Sequence, residues 1–123
     1  MSAVNGTTLV LGASPNPVRF SCKAVKSLVK HNKKVVAVGF RKEMINEVEI
    51  LTGMPMIENV DTVSIYIGSS RQREYYEYIL SLKPRRVIFN PGTVNPEFMA
   101  KLNHNGIEPI NGCMLVMLNE NEF

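Results

Sequence analysis

The chain has few of the residues from which stapled or metal-built sites are made. It holds two cysteines, Cys22 and Cys113, and two histidines, His31 and His104, in 123 residues. Two cysteines give neither CxxC spacing nor a disulfide framework, which fits a reducing compartment. The histidines lie apart from each other and from the cysteines, so no zinc pattern exists. Apolar runs stop at strand length, too short to cross a membrane. The N-terminus lacks the basic segment and apolar stretch of a signal peptide, and the expected location is the cytoplasm. The net charge of +3 is mild. Its basic residues come in short clusters with no interleaved aromatics, which gives no sign of a nucleic-acid surface.

What is present is a globular composition, 45% hydrophobic and 20% charged, of a size that suits one domain over residues 1–123. Strand and helix signals alternate throughout. Thr8–Leu11 reads as the first strand and Ser21–His31 as a helix with Ser21 at its N-cap and Asn32 at its C-terminal end. Val35–Val38 is a β-branched run typical of a strand covered on both faces. Val48–Leu51 is a short strand, and Thr62–Ile67 a longer one closed by Gly68. Gln72–Leu82 predicts a helix that buries Tyr75, Tyr76, Ile79 and Leu82. Arg86–Phe89 follows as a strand and Pro96–Asn105 as a helix capped by Asn95, with Gly106 suited to a left-handed end. Glu108–Ile110 is a last strand whose proline confines it to an edge. Met114–Leu118 is apolar and packs back on the body. The order predicts an α/β, Rossmann-like, doubly wound and mostly parallel sheet of five to six strands with helices on both faces.

In such a sheet the strand C-termini share one edge, where ligands bind. The first strand runs into Leu11-Gly12-Ala13-Ser14-Pro15-Asn16-Pro17 and then a helix. A glycine there lets backbone approach an anion, and the first helical N–H groups point at it. Ser14 brings a hydroxyl within reach of a diphosphate. Arg19 reads either as a bidentate phosphate ligand or as an exposed loop arginine. The other strand ends are Gly39-Phe40-Arg41, Tyr66-Ile67-Gly68-Ser69, Asn90-Pro91-Gly92-Thr93 and Asn111-Gly112-Cys113. Together they imply a backbone-lined cleft of the kind that takes a nucleotide. NAD-binding domains place a carboxylate after the second strand. Arg41 stands there instead and favours a phosphorylated ribose, as in coenzyme A or, alternatively, NADP. The strand ends hold no carboxylate pair, no Ser/His/Asp set and no metal cluster, so no intrinsic catalytic activity is expected. Cys113 is the one reactive residue type at that edge, and its reading as a small packed residue is the stronger one.

These residues resemble the small stand-alone CoA-binding proteins, whose Rossmann-like domain also forms the N-terminal domain of the succinyl-CoA synthetase alpha subunit. The resemblance is carried by Leu11–Pro17 with Arg19 and Ser21, by Ala37-Val38-Gly39, and by Val87-Ile88-Phe89-Asn90-Pro91-Gly92. Cys113 lies where relatives often have a cysteine. The resemblance implies that Gly12, Ala13, Ser14 and Arg19, with Asn16 in the same turn, hold the diphosphate of coenzyme A. It sets Gly39, Phe40 and Arg41 at the adenosine phosphate, Tyr66, Ile67 and Gly68 along the adenine or pantetheine path, and Asn90, Pro91 and Gly92 on the far side. Bacterial relatives often have an Asn-Pro turn after the second strand, where this chain has Gly39-Phe40-Arg41. The synthetase's phosphorylated histidine has no counterpart, so ligase activity is not implied. The expected role is a non-catalytic carrier, sensor or partner-dependent module, with a homodimer or an unknown protein as possible partner.

Overall fold

Seven strands and five helices emerge from this alternation in the computed structural model, which describes residues 6–123. In chain order they are β1 (Thr7–Ala13), α1 (Phe20–Lys30), β2 (Lys34–Gly39), β3 (Met44–Ile45), β4 (Val48–Leu51), β5 (Val60–Ile65), α2 (Ser69–Gln72), α3 (Tyr76–Leu82), β6 (Arg86–Phe89), α4 (Pro96–His104), β7 (Glu108–Asn111) and α5 (Met114–Asn119). A 3₁₀ turn, Arg73–Tyr75, joins α2 to α3. The strands form one sheet in the order β3-β4-β2-β1-β5-β6-β7. Every pairing is parallel except β3 with β4. The fold is therefore the expected Rossmann-like, mostly parallel α/β sheet.

Alternation along each strand divides the core between two faces. Leu9, Leu11, Val63, Ile65, Val87 and Phe89 face α3 and α4, where they meet Tyr76, Ile79, Phe98 and Leu102. Val10, Ala37 and Ile88 face the other way, onto Ala24, Val25 and Leu28 of α1 and Met114 and Leu118 of α5. Phe98 stacks on Tyr76 at 4.2 Å between ring centroids and meets Phe89 edge-on at 5.9 Å. Each large side chain buried this way contributes roughly 1.5–3 kcal/mol. The helices thus sit on both faces, and the apolar Met114–Leu118 run packs back as a helix.

Three local expectations change. The sheet has one strand beyond the expected count, because Met44–Ile45 folds back on β4 around Asn46, which takes a left-handed φ of 52°. Two residues are too few for a periodic signal. Ser21 is not the N-cap of α1. The helix begins at Phe20, Arg19 takes the extended cap conformation with no side-chain cap, and Ser21 is buried in the first turn. The reason is the preceding turn, closed when the Arg19 N–H donates to the Asn16 carbonyl at 3.0 Å. The helix predicted over Gln72–Leu82 starts at Ser69 and tightens midway, with Gln72 buried and Leu82 only half-buried. Asn95 caps α4 as expected, its side-chain oxygen accepting from the Phe98 N–H at 3.1 Å.

Candidate functional site

The ends of β1, β2, β5 and β6 enclose a cleft of about 830 Å³ on the C-terminal edge of the sheet. Its floor depends on Gly12. That residue adopts a left-handed φ of 94°, and a Cβ there would lie 2.7 Å from the Ile67 Cγ2 and 3.2 Å from the Tyr66 carbonyl carbon. Only glycine lets the end of β1 lie against the chain leaving β5. Beyond it, the loop fixes itself. Ser14 Oγ accepts from the Asn16 N–H at 3.1 Å, and Asn16 Oδ1 accepts from the Val18 N–H at 3.0 Å. Ser14 keeps its own hydroxyl proton to donate.

Three arginines, Arg19, Arg41 and Arg71, line the same cleft and are exposed. Among the described residues the ion pairs are Lys42–Glu49, Arg73–Glu97 and Arg85–Asp61, and none involves these three. Arg71 instead lies over the ring of Phe40, 4.0 Å from its centroid. Tyr66 also lines the cleft. Its hydroxyl is buried and has no hydrogen-bond partner among the described residues. Burial raises the phenol well above its ordinary value, which the nearby Ser64 hydroxyl opposes and the electrostatic influence of Cys113 reinforces. The phenol is neutral at physiological pH. A glycine turn, hydroxyls and three cations without carboxylate partners among the described residues give the cleft a chemistry complementary to a polyanion that carries flat or apolar parts.

Residues 6–119 match the family described as CoA binding domain. The chain belongs to that family. A solved protein described only as uncharacterized is 47% identical, with 96% of this chain and 98% of that one covered and a TM-score of 0.93. A Thermus thermophilus protein is 24% identical, covers 98% of this chain and 92% of its own, and has a TM-score of 0.86. A hypothetical protein from Pyrococcus horikoshii is 23% identical over 98% of this chain and 86% of its own, with a TM-score of 0.82. The last two share the fold. Among curated proteins none matches the chain.

In this CoA binding domain most residues singled out in the sequence come together. Gly12, Ala13, Ser14, Asn16, Arg19, Phe40, Arg41, Tyr66, Ile67, Gly68 and Pro91 all line the cleft. Gly39, Asn90, Gly92 and Cys113 do not. Gly39 is buried behind it, where a Cβ would run into the carbonyl oxygen of Ala13. Asn90 is fully buried and spent on the frame. Its Nδ2 donates to Ser64 Oγ at 2.8 Å and to the Ile65 carbonyl at 2.9 Å, while its Oδ1 accepts from the Met114 N–H at 2.9 Å. That last bond draws the start of α5 beneath β6 and places half-buried Cys113, the residue before α5, outside the lining. Gly92 is exposed on the turn beyond.

Sequence reasoning missed Val18, Phe20 and Arg71 as lining residues, whereas Thr93, expected at this edge after β6, does line the cleft. A signal for Arg71 existed. Gly68-Ser69-Ser70-Arg71 repeats the strand–glycine–helix order that drew attention to Gly12 and Arg19. Gln72 had none, because its role is three-dimensional. It is fully buried, and its Nε2 donates to the Ile67 carbonyl at 3.0 Å and to the Thr93 carbonyl at 2.7 Å, tying two walls of the cleft together.

Proposed function

We propose that this chain binds coenzyme A or an acyl-CoA in the cleft at the C-terminal edge of its sheet, as a non-catalytic carrier, sensor or partner-dependent module. One observation carries the reading. Three guanidinium groups without carboxylate partners among the described residues converge with the Gly12 turn on a single cleft. Coenzyme A has a diphosphate and a 3′-phosphate, which makes it the polyanion of matching form. Backbone N–H groups of Gly12, Ala13 and Ser14 take the diphosphate together with Arg19 and the Asn16 turn. Arg41, just past β2, takes the 3′-phosphate. Tyr66, Ile67, Gly68 and Pro91 border the remainder of the ligand. Among the described residues the cleft lining contains no histidine, carboxylate or cysteine to activate its hydroxyls, which supports binding rather than acid–base or nucleophilic chemistry.

Thermal unfolding with added ligands tests the reading. A ligand that binds only the folded chain at a hundredfold excess over Kd stabilises it by about 2.7 kcal/mol. Coenzyme A is expected to raise the midpoint well above the values with NAD or AMP. Equal shifts overturn the proposal. A larger shift with NADP transfers the site to a phosphorylated dinucleotide, with the 2′-phosphate rather than the 3′-phosphate against Arg41.

A further inference from the structure

In the sheet β1 lies between β2 and β5. Side chains that follow β2 and β5 can therefore touch only across the end of β1. Phe40, just after β2, and Arg71, in α2 beyond β5, do touch, with the guanidinium carbon 4.0 Å from the ring centroid. Of the cation–aromatic contacts among the described residues, this is the one whose two partners both line the cleft. It joins the residues that follow the two strands flanking β1. Phe40 is 49% exposed, so burial does not account for a large aromatic at this position.

We infer that Phe40 is a positioning residue that holds the Arg71 guanidinium at the cleft as a third phosphate-binding cation. The inference rests on the coenzyme A reading of the cleft. Stacking uses the flat face of the guanidinium and leaves its edge N–H groups free to donate. An arginine held this way has given up much of its rotamer freedom before the ligand arrives, which favours binding. Arg19 and Arg41 have no such support, so the loss of Phe40 acts on one cation out of three.

Coenzyme A titrations by calorimetry on wild type, Phe40→Leu, Arg71→Ala and the double variant decide it. Arg71→Ala is expected to weaken binding about tenfold, and Phe40→Leu about threefold. The double variant is expected to bind no more weakly than Arg71→Ala alone, and Phe40→Trp to retain wild-type affinity. If Phe40→Leu costs the same factor whether or not Arg71 is present, or costs nothing, the inference is wrong while the coenzyme A reading stands. If wild type binds no coenzyme A, both fall. Unfolding midpoints without ligand confirm that each variant is folded, and Phe40→Trp provides the check should Phe40→Leu fail to fold.

Discussion

Both rims of the sheet carry arginines, and they treat them differently. At the N-terminal rim, Arg85 donates from Nε and Nη2 to the two carboxylate oxygens of Asp61 at 2.9 and 3.0 Å. Its neighbour Arg86 is buried, with Nε on Thr62 Oγ1 and Nη2 on the Phe123 carbonyl, both at 2.9 Å. The Phe123 ring lies 4.4 Å from the same guanidinium. At the C-terminal rim, Arg19, Arg41 and Arg71 have no carboxylate partner among the described residues. A cation that faces its own acceptors belongs to the architecture. A cation left without them, on a cleft floored by backbone, is available to a ligand. Residue type alone does not separate the two cases, since Arg85-Arg86 is the denser cluster in the sequence.

The largest effect is expected within the C-terminal rim, between its frame and its lining. Gly39→Ala drives a methyl group into the Ala13 carbonyl, and backbone cannot move aside as a flexible side chain can. We expect a loss of about 3 kcal/mol in chemical denaturation, the upper part of the range for overpacking. Gly68→Ala, with nothing within 4 Å of its Cβ, is expected to stay within about 0.5 kcal/mol of wild type. Equal stabilities for the two variants would mean that β1 and β2 are not packed as closely at this edge as described.

Next in size is an exchange between the rims. Arg86→Met removes a buried guanidinium from two acceptors and is expected to cost about 2 kcal/mol of stability, with coenzyme A affinity unchanged. Arg19→Ala is expected to do the reverse, with an unmoved unfolding midpoint and about tenfold weaker coenzyme A binding. Calorimetry and denaturation on both variants give a two-by-two outcome. If Arg19→Ala destabilises the fold or Arg86→Met weakens the ligand, the division between the rims is wrong.

Much of this was legible in the sequence because its signals are local. Val35–Val38 and Arg86–Phe89 announce buried parallel strands by composition, and Gly12-Ala13-Ser14 marks a strand-to-helix turn by its small residues. Convergence of the strand ends then follows from parallel topology. Roles set by packing were not legible. Asn90 follows its strand just as Phe40 follows β2, yet its side chain turns inward to bond Ser64, Ile65 and Met114, while Phe40 stays on the cleft. Arg71 had a local signal in its glycine turn, but its contact with Phe40, which follows a different strand, had none, and Ser21 lost its cap role to a turn closed one residue pair earlier. Sequence order gives which residues reach an edge; side-chain direction there depends on partners distant in the chain.

The smallest expected effect is a pH dependence confined to the N-terminal rim. Burial alone would raise the Asp61 carboxyl pKa. Hydrogen bonds from Arg85 and Thr62, with the charges of Arg85 and Arg86, outweigh it and hold the group below its ordinary 3.8. A carboxyl whose folded pKa is depressed adds stability above its unfolded pKa and loses that contribution as pH falls through the folded value. The stability gap between wild type and Asp61→Asn is therefore expected to stay constant from about pH 7 to about pH 5 and to narrow below about pH 4. It amounts to no more than about 1 kcal/mol, because the Arg85 side chain is 50% exposed. The C-terminal rim should not respond: both proteins are expected to bind coenzyme A equally at each pH in that range. A gap that widens in acid would mean that Asp61 is not ionised by its arginines. A difference in coenzyme A affinity would mean that the two rims are coupled through β5.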